Sequence, residues 1–98
     1  MATGQGTATI DFGSAPGGQR AIVTVTGQTG IVATGGHVEA FWMGDTSADH
    51  SDYEHQMAAM ICALTCGNIV DNTSFDIVAA SEIRMRGAFT VHWVWTSP

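Results

Sequence analysis

Lysine is absent from the 98 residues, and the only cations besides histidine are Arg20, Arg84 and Arg86. Nine carboxylates bring the net charge to −6. That balance argues against nucleic acid or a membrane surface as the main partner, because both call for clustered positive charge. Charge of either sign is scarce: 12% of residues carry one, about half the usual share. So few charges leave either a neutral Ser/Thr/Gly exterior or a surface largely in contact with other protein, and the second is the expectation taken forward. No run reaches the roughly 20 apolar residues of a membrane span. The first residues lack a basic and then apolar leader, so no signal peptide is expected and synthesis in a cytoplasm is.

Cysteine is also sparse. Cys62 and Cys66 would point the same way from a strand, but about 13 Å apart, beyond disulfide reach. No second ligand pair follows at zinc spacing. They read as buried free thiols. A serine nucleophile elbow, a phosphate loop and a dinucleotide fingerprint are all missing. The expectation is a protein with no catalytic residues, no resident metal and no cofactor.

What is present is two-residue alternation. In Gly87–Trp95, Phe89, Val91, Trp93 and Trp95 share one side of an extended chain, and each ring buries roughly 150–250 Å². Arg20–Thr26 puts Ala21, Val23 and Val25 on one face. His37–Met43 puts Val38, Ala40 and Trp42 on one face and His37, Glu39, Phe41 and Met43 on the other. Both faces are largely apolar, as in a strand covered on two sides. Further strands are expected at Ala8–Phe12, briefly at Ile31–Ala33, and at Ser74–Ser81, with Ile83 and Met85 opening a hairpin into the last strand. Residues 1–7 read as an arm or an edge strand. Residues 57–65 carry strong helix formers but also alternate. With β neighbours on both sides, strand is favoured there over helix. The sum is about six to eight short strands parted by turns. That pattern predicts one all-β domain over residues 1–98, an antiparallel β-sandwich (jelly-roll or Ig-like), with one short helical turn near residues 47–55 capped by Ser47.

The segment Gly44–His55 is the most polar. Asp45, Asp49, His50, Glu54 and His55 are the candidates for a polar binding loop. On a helix, His50 and Glu54 would share a face and could offer two ligands to a cation. Their spacing matches neither a calcium loop nor a metalloprotease helix, so a capped polar turn is favoured. Trp42 or Trp95, with Asp45 and Asp49, could instead form a sugar-stacking platform, making the alternative function a carbohydrate- or receptor-binding module. Phe41, Trp42, Met43 and Trp95 are the interface candidates, and Trp95 is the aromatic most expected at the surface.

The runs Gly27–Ile31, His37–Met43, Ala48–His55, Leu64–Val70 and Val91–Trp95 together resemble small uncharacterised virion-associated structural proteins of tailed bacteriophages. The resemblance spans about residues 8–95. It implies a virion protein, made in the host cytoplasm, serving as capsid decoration or cement or as a tail or fibre component. It implies other virion proteins as partners, a homo-oligomer such as a trimer, and a host-surface glycan where the part is an adhesin.

Overall fold

The computed structural model describes residues 2–14 and 16–98. Its elements in order are β1 (Ala2–Asp11), β2 (Gly18–Val25), β3 (His37–Phe41), α1 (Asp52–Ile61), β4 (Cys62–Val70), β5 (Ser74–Met85) and β6 (Ala88–Ser97). The strands form two antiparallel sheets, ordered β1-β6-β3 and β2-β5-β4. β1 lies against β2, and β3 against β4, where the sheets meet. The chain therefore doubles back, β1 on β6 and β2 on β5, and rolls over itself. This is jelly-roll wrapping with three strands per sheet in place of four. The all-β sandwich expected from alternation is the fold observed.

The inner face of β6 supplies Phe89, Val91, Trp93 and Trp95, each at most 6% exposed. Phe75, Ile77 and Ala79 of β5 face them from the other sheet. Val23 and Val25 of β2, Val38 and Ala40 of β3, and Leu64 and Cys66 of β4 pack around these two central strands.

Residues 2–7 are no free arm. They are the first part of β1, in unbroken register with β6 from Ala2↔Ser97 to Asp11↔Ala88. Glycine in that stretch suggested flexibility, but it leaves room for two indoles. Gly4 stands opposite Trp95 and Gly6 opposite Trp93. A Cβ on Gly6 would come within 2.8 Å of the Trp93 ring, and one on Gly4 would come closer still to Trp95. The missing side chains let each indole lie across the strand.

Three more expectations change. Ile31–Ala33 is not a strand. Ile31 is fully buried, and its carbonyl accepts from the Asn72 N–H at 2.7 Å, which pins a loop over the β4–β5 turn. β5 and β6 form no hairpin, since they belong to different sheets. The chain crosses between them at Gly87, whose φ of +77 favours glycine and where a Cβ would stand 3.0 Å from Asp49. The helical turn near 47–55 begins later and runs longer. Ser51, not Ser47, caps it through a reciprocal pair with Glu54, and α1 then takes in Met57 to Ile61, where strand was favoured. A two-bond capping box, acidic residues in the first turn, and Met and Ala through the body outweigh the alternation. The strand starts at Cys62.

Candidate interaction surfaces

The polar segment 44–55 folds back over the start of β6 and spends its side chains there. Asp45 accepts from His92 at 2.8 Å and from the Thr46 N–H at 2.7 Å. Asp49 accepts from the Ala88 N–H at 2.8 Å. The Ser47 hydroxyl donates to the Ala88 carbonyl at 2.6 Å, and that of Thr90 to the Thr46 carbonyl at 3.1 Å. His50 lies flat on Phe89, with ring centroids 3.8 Å apart and planes 9° apart. Its Nε2 faces the Arg86 carbonyl at 2.6 Å and its Nδ1 faces Glu54 at 3.2 Å. His55 is wholly buried. Its Nδ1 donates to the Ser51 carbonyl at 2.8 Å, and its Nε2 accepts from the Thr90 N–H at 2.9 Å. One carbonyl and one N–H partner assign the neutral Nδ1–H form.

The five polar candidates, Asp45, Asp49, His50, Glu54 and His55, are thus brought together as a clamp between a loop, a helix cap and a strand. A cation on His55 would have to displace a backbone partner from either ring nitrogen, whereas His50 Nδ1 has only the Glu54 side chain beside it. Among the described residues, no group of three or more His, Cys, Asp or Glu is arranged to hold a metal ion.

The tryptophans face inward. Trp95 is 3% exposed, and its Nε1 donates to Gln28 Oε1 at 2.9 Å. The expectation of a surface aromatic at Trp95 is therefore overturned: inward parity on a central strand outweighs nearness to the chain end. Trp42 is half-buried, edge-on to Phe89, with Nε1 donating to the Cys62 carbonyl at 3.0 Å. At 3% exposure, the Trp95 indole offers no face for sugar stacking. The other two interface candidates do reach solvent. Phe41 stacks on His92 on the outer face of its sheet, and Met43 is about half exposed.

A larger apolar exterior lies elsewhere. Tyr53, Met57 and Met60 project from α1, and Ile83 projects from β5 beside them, at 43–77% exposure. A groove of about 220 Å³ between Tyr53, Met57 and Ile83 runs down to Met85 and Phe89, with Arg86 on its wall. This cluster was missed because its signal is helical. Tyr53, Met57 and Met60 stand at i, i+4 and i+7, a stripe that shows only when the segment is read with a 3.6-residue period. The opposite stripe, His55 and Ala58, is the buried one.

Three carboxyls sit below their usual range through hydrogen bonds to the ionised form. Asp45 is lowered by the Thr46 N–H and then His92. Glu54 is lowered by the Ser51 N–H and then His50. Asp76 is lowered by the Thr24 hydroxyl and then the Asn68 amide. A depressed folded pKa adds stability above the unfolded value, and that stability is lost as pH falls through the folded one. Thermal midpoints are therefore expected to fall as pH drops below about 4. Asp45→Asn should flatten part of that slope, and an unchanged slope would remove Asp45 from the account. Burial pushes the Cys66 thiol up to about 11, so at neutral pH roughly one molecule in 10⁴ carries the reactive thiolate.

Comparison with protein-family models, with curated proteins and with solved structures found no match to this chain.

Proposed function

We propose that this chain is a structural protein of a tailed-phage virion, a capsid decoration or tail component that works by contact with other protein. Copies associate with one another, and the apolar patch of Tyr53, Met57, Met60 and Ile83 is the attachment face toward a neighbouring virion protein. The observation that carries this reading is the division of side chains. The polar groups that could have held a ligand are consumed by the clamp. Large apolar groups, by contrast, stand outside on a domain with very little charge. Exposed apolar clusters of this kind mark contact sites. Arg86 and Glu54 on the groove wall fit a partner face that is apolar at its centre and carries charge of both signs at its edge. The resemblance to phage virion proteins supplies the particle.

Mass spectrometry and immunogold labelling of purified particles test the proposal. The protein is expected at many copies per particle, in a regular array, and particles without it would overturn the reading. Met57→Glu with Met60→Glu leaves the core alone, because both side chains are exposed. It should cut incorporation into particles at least tenfold, roughly what 1.4 kcal/mol of lost contact produces. Normal incorporation of that variant would remove the patch from the attachment.

A further inference from the structure

The described residues form four sheet edges: β1 and β3 on one sheet, β2 and β4 on the other. An open edge is a template for pairing with another chain, and soluble proteins blunt it with brevity, bulges, charge or proline. Three of the four edges are blunted. β3 is five residues long. β2 breaks register between Gly18 and Arg20, and carries the arginine there. β4 breaks register between Gly67 and Val70, with Asn68 at φ +50. β1 has none of these devices. It runs ten residues in one register, without proline, and its sole charge is Asp11 at the far end.

Residues 2–8 of that strand read Ala-Thr-Gly-Gln-Gly-Thr-Ala, the same in both directions about Gln5. We propose that β1 pairs with β1 of a second copy, antiparallel about a two-fold axis at Gln5, making one continuous six-stranded sheet. Strand order across the axis is β3-β6-β1-β1′-β6′-β3′. The inference rests on the self-association proposed above and names where it occurs.

The occupant follows from symmetry and charge. In an antiparallel pair centred on Gln5, Thr3 meets Thr7, Gly4 meets Gly6 and Ala2 meets Ala8, each like facing like. Thr3, Gln5 and Thr7 are exposed on the outer face, where Thr–Thr pairs across strands are favourable. The two Gln5 amides each offer a donor and an acceptor. The glycines and alanines lie on the inner side, beneath the indoles of the same copy. Copies that each carry −6 repel, and the pairing stretch is uncharged, with Asp11 beyond its end. The pairing is isologous and so closes as a dimer.

A charge swap at the axis tests it. Gln5 is exposed, so Gln5→Lys and Gln5→Glu should keep the wild-type thermal midpoint at concentrations where the chain is monomeric. Each places like charges directly opposite one another and should weaken the dimer about fivefold or more. An equimolar mixture of the two should form heterodimers, read by native mass spectrometry. In hydrogen exchange, alternate β1 amides should gain protection as wild-type concentration rises. A wild-type oligomer indifferent to both substitutions, or a mixture without heterodimers, overturns edge pairing and leaves self-association standing. A wild-type monomer throughout the micromolar range overturns both.

Discussion

Trp95→Ala is expected to lower stability by about 3–5 kcal/mol, the range for truncating a buried aromatic. Three losses combine at this position. The indole is 3% exposed among the inner side chains of both sheets. It covers Gly4 of β1, its register partner, and an alanine would leave that backbone bare on its inner side. Its Nε1 holds Gln28 at 2.9 Å, and Gln28 anchors the loop that closes this end of the sandwich, its N–H donating to the Thr73 carbonyl at 3.0 Å. The loss should therefore reach the loop as well as the core. Urea unfolding followed by circular dichroism measures the cost, and hydrogen exchange at Gln28 and Ile31 shows whether the loop loosens with it. Trp93→Phe is the control. Trp93 Nε1 is buried without a hydrogen-bond partner, so removing that donor forfeits no bond and costs less than Trp95→Ala. A Trp95→Ala variant within about 0.5 kcal/mol of wild type, typical of a surface change, would mean that the indole is not in the core.

How much of this could be read from the chain depended on the period of each segment. The last strand was legible because period two is unmistakable in Phe-Thr-Val-His-Trp-Val-Trp, and the four side chains placed on one face are all found inside, Trp95 among them although it was expected at the surface. β2 was legible for the same reason, with Ala21, Val23 and Val25 inward and Ile22 half exposed. Two segments were ambiguous in opposite ways. Residues 2–7 offered no large apolar side chains to alternate, so the sequence left an arm and an edge strand open, and the edge strand is the one observed. Its inward groups are glycines whose partners are 87 residues or more away in the chain, as in Gly4↔Trp95 and Gly6↔Trp93, where local reasoning does not reach. Residues 57–65 satisfied both periods, and the capping box that decides for helix as far as Ile61 begins at Ser51, four residues past the cap assigned at Ser47. Misplacing that start hid the Tyr53–Met57–Met60 stripe and with it the attachment face. The polar loop was correctly singled out as unusual. Its concentration of Asp and His, however, serves hydrogen bonds to β6 and to the residues leading into it, and no spacing within the loop announces a partner some 40 positions on.

His55 joins these observations and carries the second large effect. His55→Phe is expected to cost about 2–4 kcal/mol, most of it from leaving the Thr90 N–H buried and unpaired. The ring is fully enclosed, edge-on to Trp42 and Phe89 at 6.4 and 5.2 Å, so phenylalanine keeps much of the packing and isolates the polar term. What fails is the bridge. Nδ1 ties the first turn of α1 to its own cap at the Ser51 carbonyl, and Nε2 ties the helix to β6 at Thr90. Otherwise α1 packs mainly against β4 and β5. With the bridge gone it should separate from β6 while the sandwich persists. Separation would show as faster exchange at α1 amides and a changed near-ultraviolet signal from Trp42, with strand signal retained. His55→Gln supplies an amide oxygen to accept from Thr90 and should recover part of the loss, which a purely apolar role for the ring would not produce. The patch of Tyr53, Met57 and Met60 rides on this helix, so His55→Phe should also reduce incorporation into particles without touching the exposed face. If stability and the α1 amides are unchanged in His55→Phe, the imidazole is a packing group alone, and the attachment face is held by something other than this bridge.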